Sequence, residues 1–231
     1  MTIDTINFSA LSDKGRHNKY EDRGLCMGPN QVKSPLQGYL FAVADGLSGE
    51  KQASIAADLA IFYLKKIYFE TLPFDEQCLT DHLETAVERA NWEVYLQSVQ
   101  DRDYEGMGST LSAILFLDER AYIFHVGNSR IYRLGNSTEQ LTQDHLDQRG
   151  LLTNFIGKGN DLEIFRTELP IEDGDQYLLC TDGLNLSPDE IQEIVKQNQN
   201  LKKANKDLVR LARKKGSKDD IASILLEIEL A

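Results

Sequence analysis

The sequence predicts an α+β fold in which two antiparallel β-sheets pack face to face with α-helices on their outer faces. Three observations carry this expectation. Strand-like blocks alternate with inserted pairs of helical segments along the chain. The strand-like blocks are rich in β-branched, aromatic and aliphatic residues. The helical segments carry apolar residues three and four apart, the period of a helix that buries one face. A chain of 231 residues is enough for one large domain with a substantial core and requires no second, so residues 1–231 read as a single domain.

Taken in order, the strand-like segments Ile3–Leu11 and Gly38–Ala44 come first. Two amphipathic helices follow, Ala53–Tyr68 with Ile55, Leu59 and Phe62 on one face, and Thr80–Val99 with Leu83, Val87 and Ala90. Leu111–Leu117 and Ala121–Val126 are strong strand patterns. Leu117-Asp118-Glu119-Arg120-Ala121 between them reads as a hairpin turn, although it lacks an Asn-Gly or Asp-Gly pair. Ile131–Leu134 and Gln176–Cys180 continue the strands. The helix Pro188–Gln197 opens with Ser187 as N-cap and Pro188 at its first position. The helix Lys202–Lys215 stops at Gly216. Ile221–Glu229 is the last strand, and no repeat, low-complexity tract or linker interrupts the chain.

The formal net charge of -12 repels polyanions, which argues against nucleic acid or an anionic membrane as the main partner. Cys26, Cys78 and Cys180 are odd in number, widely spaced and set in largely apolar surroundings, as expected of reduced core thiols in a cytoplasmic protein. The start Met1-Thr2-Ile3-Asp4 has no basic segment followed by an apolar core. Thr110–Leu117 and Ala53–Leu64 are too short or too interrupted by charge to cross a bilayer. A protein without a membrane anchor is expected.

The chemistry lies in five short segments, four of them acidic: Glu21-Asp22, Ala44-Asp45-Gly46, Gly127-Asn128-Ser129-Arg130, Cys180-Thr181-Asp182-Gly183 and Lys218-Asp219-Asp220-Ile221. Each stands at the edge of an apolar run, where a buried strand would deliver it to a common cleft. Clustered hard oxygen ligands suit Mg²⁺ or Mn²⁺, which prefer carboxylate, carbonyl and water. The pattern is that of a metal-dependent hydrolase.

Read together, these segments resemble the protein phosphatase 2C family, the metal-dependent PPM serine/threonine phosphatases of bacterial signalling in their short bacterial form. The resemblance runs nearly end to end. Ser12-Asp13-Lys14-Gly15 with Glu21-Asp22, and Phe41-Ala42-Val43-Ala44-Asp45-Gly46-Leu47-Ser48-Gly49, are similar to the family's N-terminal motifs. Gly106-Met107-Gly108-Ser109-Thr110, His125-Val126-Gly127-Asn128-Ser129-Arg130-Ile131-Tyr132, Gly174-Asp175-Gln176-Tyr177-Leu178-Leu179-Cys180-Thr181-Asp182-Gly183-Leu184 and Gly216-Ser217-Lys218-Asp219-Asp220-Ile221 follow in family order. The resemblance implies a phosphatase 2C-like αββα sandwich and two Mg²⁺ or Mn²⁺ ions that activate a water for attack on phosphoserine or phosphothreonine. Asp45 would bridge the two ions, the Gly46 carbonyl would complete one shell, and Asp182 and Asp219 would be further ligands. Glu21 and Asp22 would bind the metals or hold their waters, with Asp22 the stronger candidate. Asp22, Asp45, Asp182 and Asp219 therefore form the expected catalytic set. Gly108 and Arg130 read as structural, the first allowing close packing and the second pairing with a carboxylate.

Several positions depart from the family pattern. The phosphate-binding arginine falls at Arg16 or His17, of which only Arg16 offers a permanently charged fork. His17 reads first as a loop residue and second as a proton donor to the leaving group, and His145 is a further candidate. Asn128 and Leu186 stand where ligands of a third metal often occur, so a weak or absent third site is expected. Asp220 replaces an asparagine and reads as added charge of uncertain use, solvated and not catalytic. Only seven residues separate His145 from Thr153, so the flap beside the active site is missing or vestigial and the cleft should accept many phosphoproteins with little selectivity. Phosphorylated protein substrates, the products of a serine/threonine kinase, are the implied partners. The alternatives are a degenerate phosphatase-fold binding or regulatory module, and hydrolysis of a small phosphate ester.

Overall fold

The computed structural model describes residues 3–17, 19–32, 35–47, 50–71 and 79–231; Met1-Thr2, Asn18, Ser48-Gly49 and Cys78 lie outside them. In chain order the elements are β1 (Ile3–Asp13), β2 (Asp22–Met27), β3 (Tyr39–Leu47), α1 (Glu50–Glu70), α2 (Leu79–Gln100), β4 (Gly108–Ser109), β5 (Leu111–Leu117), β6 (Arg120–Val126), β7 (Arg130–Leu134), β8 (Thr138–Gln140), β9 (Phe165–Pro170), β10 (Gln176–Cys180), α3 (Pro188–Gln197), α4 (Leu201–Lys214) and β11 (Ile221–Leu230). One sheet has the order β1-β11-β10-β7-β8, the other β2-β3-β5-β6-β9 with β4 added to the end of β3. The pairings are antiparallel. The expected sandwich of two sheets with outer helices is the observed one.

Strand alternation builds the layers, because successive side chains leave a strand on opposite faces. On β3, Tyr39, Phe41 and Val43 point between the sheets, where they meet Ile114, Phe116, Ile123, Tyr177, Leu179, Ile224 and Leu226. The rings of Phe41 and Phe116 meet edge to face at 6.1 Å, and those of Phe116 and Tyr177 at 5.3 Å. The intervening Leu40, Ala42 and Ala44 pack beneath α1 and α2 against Ala56, Ala57, Ala60, Leu64, Leu83 and Val87. On the other sheet, Leu178, Cys180, Ile221 and Leu225 pack beneath α3 and α4 against Ile191, Leu208 and Val209. Fully burying each large apolar side chain is worth about 1.5–3 kcal/mol, so a one-residue slip of register would expose a whole face and is strongly disfavoured.

The helix ends follow the sequence. Ser187 accepts the Glu190 N–H while the Glu190 carboxylate accepts the Ser187 N–H, a complete capping box with Pro188 in the first turn. Asn200 caps α4 by accepting the Lys203 N–H at 3.0 Å. The hairpin between β5 and β6 has Asp118 in the left-handed region, φ 52°, which an aspartate tolerates well enough to replace the missing Asn-Gly.

Four strands were not anticipated. β2 reads Asp-Arg-Gly-Leu-Cys-Met, with neither β-branched residues nor clean alternation, and exists because β3 pairs with it from Asp22↔Asp45 to Met27↔Leu40. β4 and β8 have two and three residues, below the length at which a pattern shows. β9 alternates half-buried and exposed residues along an edge, a faint period-two signal. No helix among the described residues is long and apolar enough to cross a membrane.

Candidate metal centre

The alternation that fills the sandwich also supplies the site. Cys26 and Gly24 of β2, Val43 of β3 and Ala222 of β11 face the gap between the sheets. Asp22, Asp45 and Asp220 continue that parity at one end of the gap, and Thr181 does so one residue beyond β10. Asp22 and Asp45 are direct partners across β2 and β3. The Asp45 carboxyl is within hydrogen-bonding reach of both Asp22 and Asp182, so it lies between them in the cluster.

Hydroxyl groups fix the carboxylates. Thr181 Oγ1 donates to Asp22 Oδ2 at 2.7 Å. The Asp45 N–H donates to Thr110 Oγ1 at 2.9 Å, the Asp45 carbonyl accepts the Thr110 N–H at 2.8 Å, and Ser109 Oγ donates to the same carbonyl at 3.0 Å. Thr110 Oγ1 in turn lies 2.6 Å from Ser129 Oγ. Asp182 opens a short 3-10 turn, Asp182–Leu184, and its Oδ2 accepts from Asn128 Nδ2 at 2.8 Å. A Cβ on Gly46 would lie 2.0 Å from the Ala53 carbonyl oxygen, so only glycine lets α1 approach the end of β3 this closely.

Too many negative charges meet here for the site to be comfortable alone. Burial, then repulsion from Asp220 and Asp182, pushes the Asp22 carboxyl up to about 7, against hydrogen bonds from Thr181 and Asp45. Burial and the charges of Asp22, Asp182 and Asp219 raise Asp45 well above the ordinary carboxylate range. Asp182 is raised by burial and by Asp219. A dication relieves this strain directly, because an opposite charge at the site favours the ionised form of every ligand. Asn128 Oδ1 is buried without a hydrogen-bond partner, a further hard oxygen awaiting a donor or a cation. The carboxylates are gathered but not closed: among the described residues no three His, Cys, Asp or Glu side chains have the spacing to enclose an ion. Hard carboxylate oxygens of this kind suit Mg²⁺ or Mn²⁺, whose shells retain several waters.

Asp219 stands at the exposed rim of the cluster. Its loop is held by Arg213, whose Nη1 donates to the Asp219 carbonyl at 2.5 Å while the guanidinium pairs with Asp13 at 2.6 Å. His17 Nδ1 lies 3.3 Å from Glu21 Oε2 and 3.7 Å from Asp219 Oδ1, within ion-pair reach but not aligned for a hydrogen bond. Glu21 is buried. The Arg16 side chain is exposed, and its backbone N–H donates to the Lys218 carbonyl at 2.8 Å.

Other expectations resolve differently. Asp220, read as solvated, is 1% exposed. Its two carboxylate oxygens accept the Gly15 and Glu21 N–H groups, each at 2.6 Å. It is therefore the anchor that holds Gly15 and Glu21 against the end of β11. Sequence reasoning missed it, and also Thr181 and Thr110, whose strand parity and hydroxyls were the available signals. His145 Nδ1 accepts the Gly127 N–H at 3.0 Å, and its ring stacks at 5.0 Å on the buried His125. His145 thus braces the loop that carries Asn128. Burial and the neighbouring His145 push His125 down to about 4. Leu186 is buried against α3 and α4. Arg130 forms the expected carboxylate pair, with Asp144 at 2.7 Å. Gly108 allows close packing, since a Cβ there would lie 2.6 Å from the Phe155 ring. The seven residues after His145 make a tight turn, closed by the Leu146↔Leu152 bridge and by the Asp147 carboxylate accepting the Arg149 and Leu151 N–H groups.

A family model described as protein phosphatase 2C matches residues 31–226. The serine/threonine phosphatase stp of Listeria innocua is 27% identical over 95% of this chain and 94% of its own length. The serine/threonine protein phosphatase PstP of Mycobacterium tuberculosis is 29% identical over 92% of this chain, which spans 45% of that protein. Among solved structures, M. tuberculosis PstP/Ppp superposes with a TM-score of 0.84 at 28% identity, covering 98% of this chain and 100% of that one. The S. agalactiae serine/threonine phosphatase gives 0.87 at 26% identity, covering 97% and 100%. The catalytic domain of PstP in complex with two manganese ions gives 0.82 at 28% identity, covering 98% and 99%. The chain belongs to the protein phosphatase 2C family.

Proposed function

We propose that the protein is a metal-dependent protein serine/threonine phosphatase that hydrolyses phosphoserine and phosphothreonine, a single catalytic domain over residues 1–231. The observation that carries this reading is the convergence of Asp22, Asp45 and Asp182 from both sheets at one end of the sandwich, with Asp219 in electrostatic reach. Asp45, Asp182 and Asp219 would hold two Mg²⁺ or Mn²⁺ ions, with the Gly46 carbonyl, Asp22 and Glu21 completing the shells or fixing bound water. When bound, such ions lower the pKa of a water and neutralise the charge of the phosphate under attack.

The protein's own groups orient this chemistry. Thr181 fixes Asp22 through Oδ2. Asn128 fixes Asp182 in the same way. The Thr110 and Ser109 hydroxyls hold the Asp45 backbone, so the Asp45 carboxyl enters the site from a rigid strand end. Arg16 supplies the charged fork for phosphate, and His17, half-exposed between Glu21 and Asp219, reads first as a loop residue beside it and second as a proton donor to the leaving oxygen. A third ion is weak or absent, because the neutral amide of Asn128 and the buried alkyl chain of Leu186 attract a hard dication poorly. Binding of more than two ions at millimolar Mn²⁺ would contradict this.

The substrates are phosphoproteins made by a serine/threonine kinase, with no role for nucleic acid or membrane, and the site of action is the cytoplasm. The -12 charge and the unpaired thiols of Cys26 and Cys180 support this placement. The test is release of phosphate from a phosphothreonine peptide with Mn²⁺, Mg²⁺ or EDTA, comparing wild type with Asp182→Asn. Turnover that both EDTA and the substitution abolish is expected. A folded wild-type protein with no turnover in either metal overturns the reading.

A further inference from the structure

On a chain of net charge -12, one cleft beside the carboxylate cluster is cationic. It has a volume of about 280 Å³, and four of its seven lining residues are Lys14, Arg16, Arg213 and Lys218. Arg213 is engaged by Asp13 and by the Ser217 and Asp219 carbonyls. The exposed side chains of Arg16 and Lys218, by contrast, have no hydrogen-bond partner among the described residues. The acidic groups on this side are Asp13, committed to Arg213, Asp220, buried and committed to the Gly15 and Glu21 N–H groups, and Asp219, which belongs to the carboxylate cluster.

The cleft is built rather than incidental. The two segments that bear the cations are tied together by the Arg16 N–H donating to the Lys218 carbonyl at 2.8 Å. A Cβ on Gly15 would lie 2.2 Å from that same carbonyl oxygen, so the segments touch at a glycine. Asp220 clamps Gly15 from beneath. The cleft also adjoins the chemistry: Lys218 precedes Asp219, and His17 follows Arg16 and reaches Asp219 at 3.7 Å.

We infer that the cleft is a subsite for an anionic side chain, a carboxylate or a second phosphate, flanking the phosphorylated residue of the substrate. The inference rests on the phosphatase reading and narrows the expectation of low selectivity. The acidic remainder of the surface repels such a segment, so the cationic rim also fixes the direction in which a peptide lies.

The test uses three phosphothreonine peptides identical except for flanking residues that are neutral, glutamate, or a non-hydrolysable phosphonate analogue of phosphoserine. Wild type and Lys14→Ala/Lys218→Ala are compared on these and on a small aryl phosphate. In wild type at low salt, kcat/KM for the two anionic peptides should exceed that for the neutral one by about three- to tenfold, the range of a few exposed charge pairs, and should fall with added salt. In the double variant the preference should shrink to less than about twofold while turnover of the aryl phosphate is unchanged. Equal rates in wild type, or a preference that survives in the variant, overturn the inference. A larger gain from the phosphonate than from glutamate identifies phosphate as the favoured ligand; equal gains identify charge alone. If no substrate is turned over, the phosphatase reading fails by itself. Fluorescence anisotropy of labelled glutamate and neutral peptides then decides the subsite, with equal affinities counting against it.

Discussion

Replacing Asp220 with alanine removes a carboxylate that holds two backbone N–H groups at 2.6 Å, Gly15 and Glu21, at a site 1% exposed to solvent. A hydrogen bond to a charged acceptor contributes about 1.5–3 kcal/mol, and a buried donor left unsatisfied costs a similar amount. Two such bonds set a ceiling of about 6 kcal/mol. Relief of repulsion against Asp22, where the Asp220 charge ranks below burial and the hydrogen bonds, and entry of water return part of this. The net loss should be about 3–4 kcal/mol, a lowering of Tm by about 6–16 °C for a chain of this size. Asp220→Asn retains one acceptor oxygen and should lose about half as much. The assay is urea unfolding in EDTA, which isolates the fold from metal binding, followed by Mn²⁺ titration of the folded variants. Affinity should fall as well, because Glu21 and Asp22 follow the clamped segment. An alanine variant within about 1 kcal/mol of wild type, or alanine and asparagine variants of equal stability, would refute the clamp.

The pH dependence of the metal-free protein should carry the mark of Asp22. Its folded pKa, about 7, lies above the ordinary carboxylate value, so its contribution is fully present below about pH 4 and is lost as pH rises through 7. Urea midpoints in EDTA should therefore show a decline over this window that Asp22→Asn flattens; equal slopes would dismiss it. Gly46→Ala forces a Cβ to within 2.0 Å of the Ala53 carbonyl and should cost about 1–3 kcal/mol or more, whereas Gly135→Ala, which meets nothing within 4 Å, should leave Tm nearly unchanged. Arg130→Lys loses the fork on Asp144 and should lower stability by about 1 kcal/mol, read as a shift in the urea midpoint.

The long elements were legible because their periods are strong. Leu111–Leu117, Gln176–Cys180 and Pro188–Gln197 have the boundaries that the residue pattern alone implies. β2 was not legible, since its strand character is conferred by β3 rather than by Arg23, Gly24 or Cys26 themselves. At the site, the order of the acidic motifs pointed to Asp22, Asp45, Asp182 and Asp219, because each closes or opens an apolar run. Asp220 escaped for a physical reason: what makes it structural is the pair of backbone N–H groups it receives from residues about two hundred positions away, and backbone donors leave no trace in side-chain pattern. His145 looked chemical for the converse reason, since a sequence shows an imidazole but not the Gly127 N–H that occupies its ring nitrogen.

The two halves of the cluster belong to different layers, Asp22 and Asp45 to one sheet, Asp182 and Asp219 to the ends of strands in the other. Elsewhere the layers meet through apolar side chains, which are indifferent to small sliding displacements. Ions shared by these carboxylates would join the layers by directional bonds at one end, like a clasp across the mouth of a folded sheet. Catalytic readiness and the alignment of the sheets are then the same variable: whatever lets the layers shear disperses the ligands, and whatever gathers the ligands brings the layers back into line.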